Sequence, residues 1–573
     1  MDFITNKNLK RKKPLLVLYY LFVITVFSCA IANLFMVIFP IDYELGHDEA
    51  EHLHVAYLLG QGQRPYIDFI ENHPTLFNHF LNWVRTFFNL KTVRQWSFIA
   101  RIIILFHITL SFFVLFFWIS VLIKKRPGGL FWLSFVFLSF SFIGYYNEQL
   151  SFMWQIRPDW ISYAYTFAGL YLFFLFVSKH EKQKSWVAKL SFLFLGAFFV
   201  GFGNAILPKG FVLIIGICVG LTALLIAKKL EIANLLSNQF IFCTSSFGVF
   251  AALIFCFFAF LDCHLSKISI NSWIKANFII NSMKHPPLTN AQTNPITSFM
   301  SIFSLNLPLF ILLCLWICYY ISVRKEVNPA KEKINLVIIA IFVVITNIFM
   351  TAFGNGLSWP HYFIPCVLGA LLIYLILLLD VYEKTIDLFQ KDLSRLHYYI
   401  SLALVLVILT IPARQLIELY PAFLNRRASQ SNSLISKNND YLNDSIMPAN
   451  CTYFSPKPTE MPIMAKHAGY YFMLVIDKRI WQDYYRLGLG PDPEESIRNI
   501  FKKNKPDIVS FQGPIRLSEF IATAANIQGI NLEWMINTIQ EDYVLISKSI
   551  RMLYARKDLV TCLESFGWKK VTQ

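Results

Sequence analysis

Long apolar runs recur along this chain from Leu15 to about Ile411. A helix needs about 20 consecutive apolar residues to cross the hydrocarbon core of a bilayer, and a soluble protein has no use for so many runs of this length. Hydrophobic residues make up 56% of the 573 residues and charged residues only 15%, as expected for helices that face lipid. The apolar pattern therefore predicts an all-α, polytopic membrane domain.

The sequence predicts about eleven membrane-spanning helices. They are expected over 15–40, 97–123, 130–146, 159–178, 187–205, 211–227, 239–261, 300–323, 334–353, 363–380 and 397–418. The first run follows a basic cluster, as a signal peptide would, but it is longer than a typical signal-peptide core and has no convincing cleavage site. We therefore expect it to be retained as the first span.

Positive charge is concentrated in short connections that alternate along the chain. These connections contain the basic residues of 7–13, 124–126, 179–184, 228–229, 324–333 and 384–395. The positive-inside rule places such connections in the cytoplasm, so residues 1–14 are expected inside and the remaining connections outside. The formal net charge of +16 is explained in this way, and no nucleic-acid partner is expected.

Two regions are predicted after the short N-terminus. Residues 15–418 form the membrane domain, and its first outward loop covers 41–96. Residues 419–573 form a polar tail outside the membrane. The tail is predicted to be an α/β domain because short β-rich stretches alternate there with helical patterns. The β-rich stretches are Cys451–Phe454, Asp507–Phe511 and Tyr543–Ser547.

The first outward loop carries a dense set of carboxylates and imidazoles. Asp48 stands three residues before Glu51 and four before His52, a spacing that places all three on one face of a helix. A single acidic residue in such a loop would be ordinary, because it could simply be solvated. A cluster of carboxylates and histidines beside the membrane favours a functional site. Farther along the loop, an amphipathic pattern over 75–88 predicts a helix that lies in the interface.

Later outward connections supply complementary groups. Lys209 stands in a very short outward connection, against the positive-inside trend. Snorkelling of a lone lysine to the interface explains this position about as well as an anionic partner such as a lipid phosphate. His285 and His361 are each more typical of interfacial histidines than of ligands when residue type alone is considered.

Together these groups match the needs of group transfer from a lipid phosphate. An acceptor hydroxyl needs a general base, which a carboxylate of the first loop can provide. The departing phosphate needs positive charge and hydrogen-bond donors. Lys209, Arg157 and His361 are the candidates for that role.

The order of these motifs resembles the polytopic GT-C glycosyltransferases that use lipid-phosphate sugars. Within this group they resemble the bacterial branch that includes the aminoarabinose transferase acting on lipid A and the protein O-mannosyltransferases. The resemblance covers roughly residues 10–420, and the tail after 420 matches no family. The matching motifs are Asp48-Glu49, Gly60–Tyr66, Glu71–Pro74, Arg157–Asp159, Lys209-Gly210 and His361-Tyr362.

The resemblance implies residue roles. Asp48 would be the catalytic carboxylate, with Glu49 beside it. Glu71 would bind a divalent metal ion, with His285 as a loose positional match for its partner. The expected substrate-binding residues are Lys209, which would contact the donor phosphate, and Arg157, Asp159, His361 and Tyr362.

The implied reaction is an inverting transfer of a hexose or pentose from a polyprenyl-phosphate carrier. The acceptor would be a lipid, a glycan or a protein at the outer face of a bacterial inner membrane. The motifs therefore lead us to expect an enzyme of the cell envelope.

A transporter or flippase for a lipid-linked saccharide is the main competing hypothesis. Transporters place ionisable groups near the bilayer midplane, whereas exceptions such as Arg101 and Asp159 lie near the outer ends of these spans. The placement of charge therefore favours chemistry at the membrane surface. A glycan polymerase or ligase with a diphosphate-linked donor is a further hypothesis, and a catalytically silent scaffold is the last.

Overall fold

The computed structural model describes slightly more than half of the chain. The described residues are 47–71, 73–120, 155–178, 186–226, 238–280, 331–353, scattered positions within 364–376, and 451–571 with short gaps. The predicted spans 15–40, 130–146, 300–323 and 397–418 lie outside them. The same holds for His285, His361 and Tyr362.

Apolar helices lie over the other predicted spans. Two helices, α1 (His47–Gly60) and α2 (Leu76–Phe87), precede them in the chain. The apolar helices that follow are α3 (Val93–Ser120), α4 (Asp159–Ser178), α5 (Trp186–Ile206), α6 (Phe211–Ile226) and α7 (Asn238–Ser266). After them come the short α8 (Ile270–Ile274), which continues as a π-helical turn over Lys275–Ile280, and α9 (Lys331–Phe353). Within 364–376 the described positions are also helical.

Among the described residues, two stretches are long and apolar enough to cross a membrane, Val93–Leu115 in α3 and Phe242–Ser266 in α7. Shorter apolar stretches occupy Leu190–Ile206, Pro208–Ala223 and Val337–Met350. Large apolar side chains are exposed along these helices, for example Phe106, Phe257 and Phe349. Such side chains are stable on an outer surface when the surroundings are lipid rather than water.

Glycines let α4 and α5 pack backbone against backbone. A side chain at Gly169 of α4 would run into the carbonyl oxygen of Gly196 in α5, and one at Gly196 would meet the carbonyl oxygen of Gly169. Small residues are the usual means by which membrane helices approach closely. The contact fixes the end of α5 beside the start of α4, where candidate site residues lie.

The tail contains a six-stranded mixed sheet. Its strands are β1 (Thr452–Phe454), β2 (Lys466–His467), β3 (Ile508–Val509), β4 (Tyr543–Lys548), β5 (Arg551–Arg556) and β6 (Lys569–Lys570). The strand order is β2-β1-β3-β5-β4-β6. β2, β1 and β3 run parallel, and the β4–β5 hairpin and β6 complete an antiparallel half.

Helices of the tail alternate with these strands. They are α10 (Ile480–Arg486), α11 (Pro493–Asn499), α12 (Pro514–Thr523), α13 (Trp534–Asp542) and α14 (Val560–Ser565). α11 shows why such a helix begins where it does. The side chain of Asp492 accepts a hydrogen bond from the amide of Glu495 at 2.9 Å, and Pro493 occupies a first-turn position that needs no amide donor.

Helix α1 packs against this sheet. Val55, Leu58 and Leu59 are buried in one hydrophobic cluster with residues of the tail, among them Tyr453, Ile508, Ile546, Leu553 and Trp568. His54 adds a polar contact, because its Nδ1 donates to the carbonyl oxygen of Ile463 at 2.5 Å. The first outward loop and the tail, which are far apart in sequence, therefore share one core.

Candidate active site

The first turns of α1 present the predicted acidic face. Asp48 keeps about a quarter of its side chain exposed (27%). Glu49, Glu51 and His52 are buried. Carboxylates in the first turn of a helix are stabilised by the exposed amides there, so this end of α1 suits Asp48 and Glu49. The candidate site lies on the face of α1 that carries Asp48.

Asp48 belongs to a chain of alternating charges. Arg157 donates from Nη1 to Oδ2 of Asp48 and from Nε to Oδ2 of Asp159, the latter at 3.0 Å. Lys209 donates from Nζ to Oδ1 of Asp159, also at 3.0 Å. Asp159 and Arg157 are buried, and Lys209 is partly exposed. Four predicted site residues from three separate segments are thus brought into one contiguous cluster.

The turn that carries Lys209 is held against α4 by polar contacts. Ser162 donates from Oγ to the carbonyl oxygen of Leu207 at 2.7 Å, and Asn204 donates to Oγ1 of Thr166 at 3.2 Å. Gly210 follows Lys209 because a Cβ there would lie 2.6 Å from Oγ1 of Thr166. The close fit of this turn explains how a lysine between two apolar helices comes to face Asp159.

The environment of Lys209 lowers its pKa to about 8. Burial is the main cause, because it disfavours the charged ammonium group. The carboxylate of Asp159 opposes this effect, and the guanidinium of Arg157 reinforces it. Lys209 lies in the short turn Pro208–Gly210 between α5 and α6, and it is charged at neutral pH but loses its proton under mildly alkaline conditions.

Glu49 makes a different set of contacts from Asp48. Arg101 of α3 donates from Nε and Nη2 to its two oxygens, at 2.8 and 2.7 Å. The amide of Ile156 also donates to Glu49, at 3.0 Å. This buried pair joins α1 to α3 and to the residue before Arg157. A direct part for Glu49 in the chemistry stays a prediction.

A second cluster adjoins the first and has the composition of a metal site. The ligand atoms of Glu51, Glu71 and His73 all lie within 4.8 Å of one another. The amide of His73 donates to Oε1 of Glu71 at 2.9 Å, and its Nδ1 lies 3.2 Å from the same oxygen. Two carboxylates and an imidazole suit zinc or manganese. The donor set therefore fits a divalent ion.

The family resemblance implies His285 as the partner of Glu71, and His285 lies outside the described residues. Glu51 and His73 are additional partners that the motifs do not indicate. His73 follows Glu71 by two residues, and Glu51 lies one helical turn after Asp48. Both spacings were visible in the sequence, but only the fold brings the two segments together.

Outer contacts hold this cluster in place. Asn78 of α2 donates to Oε2 of Glu71 at 3.4 Å, and its own Oδ1 lies 3.2 Å from Nδ1 of His52. Burial and the neighbouring His73 lower the pKa of His52 to about 4. His52 is therefore neutral at pH 7 and can donate this hydrogen bond without adding charge to the site.

Helix α2 is anchored by a buried carboxylate of α7. The amide and Oγ1 of Thr75 donate to Asp262 at 3.0 and 2.6 Å, and Nε1 of Trp273 donates to it at 2.8 Å. Asp262 thus caps the start of α2 from another helix. Phe80, Trp83 and Phe87 of α2 are exposed, and the helix is amphipathic, as the sequence predicts.

Known proteins resemble this chain in structure and not in sequence. No protein-family model matches the chain, and no curated protein sequence matches it significantly. A crystal structure of ArnT from Cupriavidus metallidurans in the apo state is 13% identical, covers 93% of this chain and 97% of its own, and gives a TM-score of 0.55. ArnT of the same organism bound to undecaprenyl phosphate is 11% identical, with 95% and 98% coverage and a TM-score of 0.53.

These likenesses extend over nearly the whole chain and so into the tail, for which the sequence indicates no relative. At such low identity they establish the fold. The resemblance predicted from the motifs is thereby confirmed at that level. This chain has the fold of ArnT, in line with the resemblance of its motifs to the GT-C glycosyltransferases.

Proposed function

We propose that this protein transfers a sugar from a polyprenyl-phosphate carrier to an acceptor at the outer face of the membrane. The observation that carries the proposal is the charge chain Asp48–Arg157–Asp159–Lys209 at the ends of α1, α4 and α5. It combines a partly exposed carboxylate with two cations. A protein of the same fold, ArnT, is known with undecaprenyl phosphate bound, which supports a donor of this class.

The two cations are the binding groups for the donor phosphate. Asp159 accepts from both Arg157 and Lys209 and so holds them on one side of the site. A phosphodiester that binds them takes the place of Asp48 on Arg157. Charge-assisted contacts of this kind are stronger than neutral hydrogen bonds, and they stabilise the negative charge that develops on the departing phosphate. His361 and Tyr362 are further candidates for the substrate site.

Release from Arg157 frees Asp48 to act as the general base. Its carboxylate takes the proton of the acceptor hydroxyl while the hydroxyl oxygen forms a bond to the anomeric carbon of the sugar. The bond from that carbon to the phosphate oxygen breaks, and its electron pair leaves with the polyprenyl phosphate. Attack opposite to the leaving group inverts the anomeric configuration. A positioned base contributes about 10²–10⁴-fold to a rate of this kind.

Glu51, Glu71 and His73 would hold a divalent metal ion beside this charge chain. Such an ion supplies positive charge near the phosphate when it is bound. Glu49 positions the site through its pair with Arg101 and its bond to the amide before Arg157. Asn78 keeps the carboxylate of Glu71 oriented.

The expected setting is a multi-pass protein of about eleven spans, with its N-terminus in the cytoplasm and its tail outside. The exposed aromatic face of α2 lies at the outer interface, where Trp and Phe side chains are favoured. The acceptor is a lipid, a glycan or a protein. The inner membrane of a bacterium is the proposed location.

Reconstitution tests the proposal. The full chain is placed in liposomes with undecaprenyl-phosphate hexoses or pentoses and a bacterial envelope extract as the source of acceptors. Transfer of labelled sugar with release of undecaprenyl phosphate is expected, and Asp48→Ala should abolish both. Movement of the labelled lipid across the bilayer without any released carrier would instead establish a transporter and overturn the enzyme.

A further inference from the structure

A tyrosine of the tail reaches into the candidate metal site. Tyr484 of α10 donates from its hydroxyl to the backbone carbonyl oxygen of Glu71 at 2.8 Å, across 413 residues of sequence. Its side chain is fully buried. Burial keeps the pKa of this hydroxyl well above its ordinary value, so it remains a donor at physiological pH. The tail therefore contacts the backbone of a candidate ligand residue directly.

The same tyrosine packs on the turn that leads to Glu71. Its ring stacks on Tyr66, with ring centroids 5.9 Å apart and planes inclined by 25°. Tyr66 has a φ of 65°, in the left-handed region that non-glycine residues seldom adopt. Such a conformation persists only where the surroundings hold it. Tyr484 supplies part of that support.

The orientation of Glu71 determines that of His73. The carboxylate of Glu71 accepts from the amide of His73, so both candidate ligands move with one short stretch of backbone. The carbonyl group that Tyr484 binds belongs to this stretch. A shift of that peptide would separate Glu71 and His73 from Glu51, which is fixed on α1 instead.

Helix α10 is itself tied to the membrane helices. Lys275, in the turn after α8, donates from Nζ to the carbonyl oxygen of Leu487 at 2.8 Å. Leu487 follows the last residue of α10. Ala276 and Ile280 of the same turn share a hydrophobic cluster with Tyr66 and Tyr484. α10 is therefore held between the segment after α7 and the loop that carries Glu71.

We propose that Tyr484 is a positioning residue of the active site, through which the tail sets the geometry of the Glu51, Glu71 and His73 cluster. This inference rests on the proposed function and extends it, because it makes the tail a working part of the catalytic unit. The tail would act through the backbone of Glu71 and would not touch the substrate at this point.

The test compares two tyrosine substitutions in the full-length protein. Tyr484→Phe removes only the hydroxyl that binds Glu71. Tyr543→Phe is the matched control, because Tyr543 is also buried and also donates to a backbone carbonyl at 2.8 Å, that of Pro506 within the tail. Both variants lose one buried hydrogen bond, so a general loss of stability affects them alike.

Hydrogen exchange and Zn²⁺ binding give readouts that do not require turnover. Tyr484→Phe should increase amide exchange within 64–75 and weaken Zn²⁺ binding by about tenfold, the change that one lost hydrogen bond of typical strength would cause. Its kcat should fall by a similar factor, about tenfold, at an unchanged unfolding temperature relative to Tyr543→Phe. The control should leave exchange in 64–75 and Zn²⁺ binding at wild-type levels.

Three results would overturn the inference. The first is unchanged exchange and Zn²⁺ binding in Tyr484→Phe, the second is an equal effect of Tyr543→Phe, and the third is local loosening with an unaltered kcat. A wild-type protein that transfers no sugar would instead defeat the proposed function. Exchange and Zn²⁺ binding would in that case still decide whether Tyr484 positions the cluster.

Discussion

Lys209 donates a hydrogen bond to Asp159 at 3.0 Å, although the two residues stand 50 positions apart. The second oxygen of Asp159 accepts from Arg157, so one buried carboxylate holds both cations of the site. Without it, the like charges of Arg157 and Lys209 would repel each other and both would lose a partner. Asp159 is therefore the residue on which the positive side of the site depends.

The pKa of Lys209 makes activity sensitive to alkaline pH. In the proposed function, Lys209 binds the donor phosphate only as the ammonium, and the pKa of Lys209 is lowered to about 8. The charge is therefore present below about pH 8 and lost above it, so kcat/KM for the donor should fall as the pH rises through that value. Lys209→Arg should move this fall to higher pH, because arginine stays charged. A fall at the same pH in the arginine variant would contradict the assignment.

Asp48 should be sensitive to the loss of its charge. Asp48→Asn keeps the size of the side chain but removes the base, and we expect the rate of sugar transfer to fall by about 100-fold or more. Asp68→Asn is the control, since Asp68 lies in the same loop, is half-exposed and pairs with Arg64 at 3.8 Å. Initial rates with saturating donor measure the difference. Equal rates in the two variants would remove Asp48 from the mechanism.

The pair of Glu49 and Arg101 should contribute to stability. Arg101→Met leaves a buried carboxylate without its cation, which costs about 3–5 kcal/mol of folding free energy. The double variant Glu49→Leu/Arg101→Met removes both charges and should be less destabilised than the sum of the single changes. Thermal unfolding in detergent, followed by tryptophan fluorescence, provides the comparison. Additive losses would show that the two side chains act independently.

Metal binding should depend on the cluster of Glu51, Glu71 and His73. Asn78→Ala removes an outer contact of Glu71 and should weaken Zn²⁺ binding about 10–100-fold, while Glu71→Gln should weaken it further. His264→Ala is the control, because His264 is an exposed histidine at the end of α7. Calorimetric titration of Zn²⁺ into the purified protein measures each affinity. Wild-type affinity in Glu71→Gln would show that the ion binds elsewhere.

Several features of the fold could be read from local sequence. Apolar runs of sufficient length predict helices, and helices are present over predicted spans such as 159–178 and 211–227. The alternation of β-rich stretches in the tail coincides with β1, β3 and β4. These features are determined by residues that are neighbours in the chain. The spacing of their apolar residues indicates whether a segment is a helix or a strand and which of its faces is buried.

Only part of the candidate site could be predicted from the sequence. Asp48 stood out as part of a cluster of carboxylates and histidines, and Lys209 as a lone cation against the positive-inside trend. Arg157 and Asp159 stood out through the motif that resembles the family. Arg101 was noted only as a charge near the outer end of a span, and nothing in the sequence paired it with Glu49. Nothing in the sequence indicated the proposed role of Tyr484, because no motif distinguishes it from the other tyrosines of the tail.

From the sequence alone one could predict which segments are apolar helices and which connections carry the charged residues. The sequence also showed which motifs resemble a family of transferases. Only the tertiary structure decided that Glu51 and His73 accompany Glu71, that Arg101 neutralises Glu49, and that the tail reaches the site through Tyr484. The reason is physical. Hydrophobic periodicity is a property of adjacent residues, whereas the contact between Tyr484 and Glu71 joins residues 413 positions apart and exists only once the helices and the sheet have packed.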